Sequence, residues 1–162
     1  MKHLVAVSII FIFVIVAIAS NGAEKMTIEQ YVSNFLELYP ERNTEAQNDI
    51  VYIRQKASKH GIDPAIVAVM IIKESSWRSK TIGGIGEIGL MQVHGICAKG
   101  QDLTTRKGQI KAGIECLALS REQCDGSNEQ MLTMYASGKC KSNSKRTIAL
   151  VRGRLSIARG LI

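Results

Sequence analysis

The feature that most limits how this chain can fold is an unbroken apolar run, Ala65 to Ile72, reading AIVAVMII. Asp63-Pro64 stands directly before it, which is a helix start signal with Asp63 as N-cap and Pro64 in the first helical position. The run has the length and punctuation of a buried helix rather than a strand, and a helix apolar on every side must be enclosed by the rest of the chain. Glu74 follows at its C-terminal end. Helical spacing places it over Val67, Met70 and Ile71, with Trp77 one turn further on. A carboxylate on such a stripe is expected to be desolvated, which suits it to general-acid work. A solvated glutamate on the outer face is the alternative.

The remaining periodicity is helical throughout. Ile28, Tyr31, Val32, Phe35, Leu36 and Tyr39 predict a helix over 26–39, capped by Thr27 and ended by Pro40. Ile50, Ile53 and Ala57 predict a second over 45–60, closed by Gly61. A glycine-rich loop over 83–89 and a short helical turn over 91–96 follow the buried helix. Further helices are predicted over 109–122 and 129–137. A last one carries Ile148, Val151, Leu155 and Ala158 on one stripe, with Arg146, Arg152, Arg154 and Arg159 read as its solvated face. No internal repeat or low-complexity segment divides the chain, and 162 residues suit one domain of modest core.

Residues 1–23 stand apart. Met1-Lys2-His3 is a short basic head, Leu4 to Ala19 is apolar apart from Ser8, and Ala17-Ile18-Ala19 offers a small-x-small cleavage site. The expectation is a signal peptide, or an N-terminal membrane anchor if uncleaved, with a domain over 24–162 exported to the periplasm or the extracellular space. Four cysteines, Cys97, Cys116, Cys124 and Cys140, agree with export and predict two disulfides. Zinc is disfavoured: there is no Cys-x-x-Cys pair, and only His60 and His94 lie outside the leader. No metal and no cofactor is expected. The formal net charge of +7 falls to +6 without Lys2 and suits an anionic polymer. The few scattered aromatics, with no basic run among them, argue against nucleic acid.

Glu74-Ser75, the aromatic Trp77, and then Gly86-x-x-Gly89-Leu90-Met91-Gln92 stand at an uninterrupted spacing. In this the chain resembles the soluble, goose-type-lysozyme-like lytic transglycosylases. Tyr135-Ala136-Ser137-Gly138 approximates that family's Tyr-Asn-Ala-Gly motif, and the resemblance covers roughly 62–155. It implies a mainly α, lysozyme-like single domain with a short glycine-rich, β-like region. It also implies cleavage of the β-1,4 bond between N-acetylmuramic acid and N-acetylglucosamine in peptidoglycan glycan strands, leaving a 1,6-anhydro sugar. Ordinary glycosidases need two carboxylates. In the resembled family one glutamate is acid and then base, so Glu74 takes both roles here, helped by the substrate's own acetamido group. Glu87 is read as a solvated loop residue.

By the same resemblance Ser75, Gly89, Leu90, Met91, Gln92 and Tyr135 line the substrate site. The bland readings are a local cap for Ser75, core filling for Met91 and a buried helix face for Tyr135. Ala136 stands where the family usually has asparagine, and the usual tyrosine in the last helical segment is absent. A hydrolytic lysozyme on the same fold and a catalytically silent peptidoglycan-binding protein therefore stay open. So does the system served, whether a secretion, conjugation, pilus or phage assembly. The cysteine pairing follows from helix geometry. If the helices run unbroken to Cys124 and Cys140, neither Cys116–Cys124 nor Cys124–Cys140 can close within about 7 Å. That leaves Cys97–Cys124 with Cys116–Cys140.

Overall fold

The computed structural model describes residues 25–162, so the expected leader lies outside the described residues. Six helices follow in order: α1 (Ile28–Leu36), α2 (Asn43–Lys59), α3 (Pro64–Ser75), α4 (Arg106–Gln123), α5 (Asn128–Ser137) and α6 (Lys145–Arg159). Short 3-10 turns at Pro40–Arg42 and Gly95–Cys97 join them. None of the helices among the described residues is long and apolar enough to cross a membrane.

Helix α3 is the axis of the molecule. Asp63 caps it by accepting from the Ala65 amide at 2.9 Å. Every residue from Ala65 to Ile72 is buried. Helices α1, α2 and α6 pack against it, while α4 joins α2 to α5, and α5 joins α4 to α6. The chain leaves α3 through two consecutive left-handed residues, Ser76 (φ 51) and Trp77 (φ 64). Such a pair is strained in non-glycine residues and persists only when its surroundings fix it. Here the Trp77 side chain is fully buried and its indole N–H donates to Asp49 at 3.0 Å. Arg106 bridges Asp49 and Glu45, and Arg42 donates to the Ser76 carbonyl at 2.9 Å. Residues from α2, α4 and the preceding turn thus hold the segment immediately after Glu74.

The predicted elements all exist, with shifted ends. Helix α4 begins at Arg106 rather than at 109, because its first turn, Arg106-Lys107-Gly108, is polar and shows no apolar period. Thr105 supplies the cap, accepting from the Gly108 amide. The turn expected over 91–96 is the later 3-10 turn at Gly95–Cys97. The expected β-like region reduces to isolated bridges, Ile82 with Ile88 and Ile88 with Val93.

The disulfides are Cys97–Cys116 and Cys124–Cys140, which overturns the expected pairing of Cys97–Cys124 with Cys116–Cys140. The error was to let the helices run into the cysteines. Cys124 is the C-cap of α4, and α5 starts only at Asn128 and ends at Ser137. Gly138, in the left-handed conformation at φ 68, then turns the chain back. The non-helical steps on either side, at up to about 3.3–3.6 Å each, exceed the ~15 Å length of α5. The two Cα atoms accordingly close to 5.2 Å.

Candidate active site

Glu74 sits in the last turn of α3, where the helix emerges from the core into a cleft of about 760 Å³. The glycine-rich loop, the Cys97–Cys116 disulfide, α4, α5 and α6 form its walls. The side chain is 22% exposed, partly covered where the helix meets the cleft. Its partner is Arg154 of α6, whose Nη1 lies 2.8 Å from Glu74 Oε1.

Arg154 is the principal correction to the sequence reading. It is 6% exposed and not part of a solvated face. Its Nη1 also contacts Met70 Sδ at 3.0 Å, and its Nε has no hydrogen-bond partner among the described residues. The signal was present in the sequence. Val151, Arg154, Leu155 and Ala158 follow the i, i+3, i+4, i+7 pattern of a buried stripe, which sets Arg154 among core residues. A buried cation there needs a counter-charge, and Glu74 supplies it.

Tyr135 lies across the cleft on α5. Its hydroxyl donates to the Met91 carbonyl at 2.7 Å. Burial, and then the neighbouring Glu74 carboxylate, push its phenol above the ordinary tyrosine range, against the smaller opposing effect of Arg154. Gln92 also lines the cleft. Its Nε2 donates to the Thr81 and Gly89 carbonyls at 3.1 and 2.9 Å, so the amide oxygen is the end able to accept from a ligand. Ala136 lines the cleft without offering a polar group.

The other expected contact residues form the frame behind the wall. The Ser75 hydroxyl is buried and donates to Ile71 O within its own helix at 3.1 Å. Leu90 and Met91 are fully buried, and Gly89 is buried with φ 77. Gln109 of α4, which sequence reasoning placed only as a helix start, clasps this loop. Its Oε1 accepts from the Leu90 amide at 2.9 Å, and its Nε2 donates to the Ser79 and Leu103 carbonyls at 3.0 and 2.9 Å. No periodic signal marks one buried glutamine at a polar helix start. Glu87 faces the cleft but folds onto its own loop. It accepts from the Ile85 amide at 2.9 Å, and that bond holds its carboxyl below the usual range.

A helical domain whose central helix delivers a single arginine-paired glutamate to an open cleft belongs to the lysozyme-like class. The model of the transglycosylase SLT domain matches residues 51–152, from the middle of α2 to the middle of α6. The chain belongs to this family of soluble lytic transglycosylases, whose substrate is peptidoglycan.

Proposed function

We propose that this protein is an exported lytic transglycosylase that cuts the N-acetylmuramic acid–N-acetylglucosamine β-1,4 bond of peptidoglycan, with Glu74 as its single catalytic carboxylate. The observation that carries this reading is the placement of Glu74. It stands in the last turn of a buried helix, lines the cleft and is held there by Arg154. The cleft's other carboxylate, Glu87, is occupied by its own loop.

In the first step the reacting form of Glu74 carries its proton on Oε2, the oxygen that Arg154 Nη1 does not engage, and gives it to the glycosidic oxygen as the bond to the muramic anomeric carbon breaks. The carboxylate left behind faces the Arg154 guanidinium, which stabilises that charged state. The sugar's acetamido oxygen supports the cationic anomeric carbon. In the second step Glu74 takes the proton from the muramic 6-hydroxyl as that oxygen attacks the same carbon, closing the 1,6-anhydro ring and restoring the acid. No water is consumed. The Gln92 amide oxygen is positioned to accept from a sugar N–H or hydroxyl. Tyr135, held by Met91, fixes the wall opposite.

Digestion of sacculi followed by mass spectrometry tests the reading. Anhydro-muropeptides are expected from the wild type, and Glu74→Gln should lower their release by at least ~100-fold; because the variant also removes the counter-charge of Arg154, circular dichroism and urea titration check that it is folded under the assay conditions. Reducing-end products in their place would assign the domain to hydrolysis, and appreciable lysis by Glu74→Gln would remove Glu74 from the acid role.

A further inference from the structure

The net charge of +7 is not spread over the chain. Of the 21 lysines and arginines, seven lie after Gln130, and no aspartate or glutamate accompanies them; the remaining 14 are matched by all 14 acids. The whole excess therefore resides on the loop after α5 and on α6. Arg154 is spent on Glu74. The other six, Lys139, Lys141, Lys145, Arg146, Arg152 and Arg159, are exposed, and among the described residues none lies within ion-pair distance of an acid.

Part of this basic surface borders the cleft. Gly138 lines the cleft, and Lys139 and Lys141 follow it directly on the exposed loop. Leu150 lines it from α6, and Arg146 is its neighbour one turn earlier on the same side of the helix. An uncompensated cationic lip beside a substrate groove raises the local concentration of anionic ligand and orients it. A glycan strand of alternating N-acetylated sugars offers that lip no full charge except through its peptide stems. Those stems branch from the muramic residues and carry free carboxylates.

Resting on the peptidoglycan reading above, we propose that Lys139, Lys141 and Arg146 form a subsite for the stem-peptide carboxylates, making the protein selective for peptide-bearing over peptide-free glycan. The place of the three cations on the segments that wall the cleft at Gly138 and Leu150 favours this occupant over an anionic lipid surface, which needs no neighbouring groove.

The test compares intact sacculi with the same sacculi stripped of peptides by an amidase, the lactyl carboxylates freed on the muramic residues being capped as neutral methylamides, using wild type and the triple variant Lys139→Gln/Lys141→Gln/Arg146→Gln. The wild type should cleave peptide-bearing glycan with kcat/KM roughly tenfold or more above the stripped polymer, and the advantage should shrink as salt rises. The triple variant should lose that advantage while its rate on stripped glycan stays within about twofold. Equal losses on both substrates, or an advantage that survives the substitutions, would overturn the proposal. Cosedimentation in a Glu74→Gln background gives the same comparison without cleavage. If the wild type releases no product from either polymer, the enzymatic reading fails while the binding comparison still decides the subsite. Loss of binding to phosphatidylglycerol vesicles in the triple variant, with unchanged discrimination between the two glycans, would assign the lip to lipid and overturn the subsite.

Discussion

Replacing Gln109 by leucine should loosen the loop that frames the cleft, and its cost can be worked from the bonds it removes. Leucine is close to glutamine in volume, so packing changes little. The substitution strands the Leu90 amide, which is buried, and the Ser79 and Leu103 carbonyls, which are partly accessible. An unsatisfied buried amide costs about 1–3 kcal/mol. The carbonyls can recover some hydration, so each adds less, and the total is roughly 2–5 kcal/mol. For a domain of this size that lowers Tm by on the order of 10 °C. Urea titration measures the loss, with an unchanged m-value marking it as a native-state effect. Hydrogen exchange at the Leu90 amide locates it, because that proton should become one of the least protected in the loop. A loss below ~1 kcal/mol with Leu90 still protected would show that the clasp is not what holds the loop, and the reasoning from bond count would be wrong.

Three further outcomes follow from the same geometry. Arg154→Met keeps volume but frees the Glu74 carboxylate; kcat should fall by about 10–100-fold with KM nearly unchanged, and Arg154→Lys should recover much of it. Gly113→Ala should destabilise by about 1–3 kcal/mol in chemical denaturation, although alanine is the better helix former. The added Cβ would stand 2.2 Å from Met91 Sδ and 2.7 Å from Met91 Cβ. Tyr135 is raised in the folded state. Its contribution is therefore fully present below the unfolded tyrosine value near 10 and is lost as pH rises above it. Stability measured from pH 8 to 12 should decline less steeply in Tyr135→Phe than in the wild type.

The axis of the fold was legible because its signals are local and redundant. Asp63-Pro64, eight buried residues and the polar break at Lys73-Glu74 all mark α3. The stripes of α1, α2 and α6 are similarly plain. What could not be read is whatever depends on how elements meet. Helical spacing put Glu74 beneath Met70 and Ile71, yet spacing cannot say that the last turn clears the core and meets α6. The arginines of α6 were grouped by charge, when the position of Arg154 between Val151 and Leu155 carried the better information. The disulfide pairing failed on three or four non-helical residues at each end of α5, whose direction no periodicity encodes. Gln109 left no trace, since its importance lies in three backbone groups distant in sequence.

The Gly-Leu-Met-Gln motif gains a physical meaning from these contacts. Leu90 and Met91 anchor the loop in the core by their side chains. Gly89, whose added Cβ would lie 2.2 Å from the Gln109 side chain, lets α4 approach closely enough for the clasp. Gln92, left-handed at φ 50, then turns the chain so that its own amide braces the Thr81 and Gly89 carbonyls. The result is a wall whose outward groups are backbone and one amide oxygen, with the Met91 carbonyl directed at Tyr135. Tyr135 in turn lies close enough to Glu74 to feel its charge. The contacts of this motif thus fix the distance between α3 and α5. That accounts for how the site keeps its shape with Ala136 in place of asparagine: the position it alters lies on the rim, outside the chain of contacts from Gln109 through Met91 and Tyr135 to Glu74.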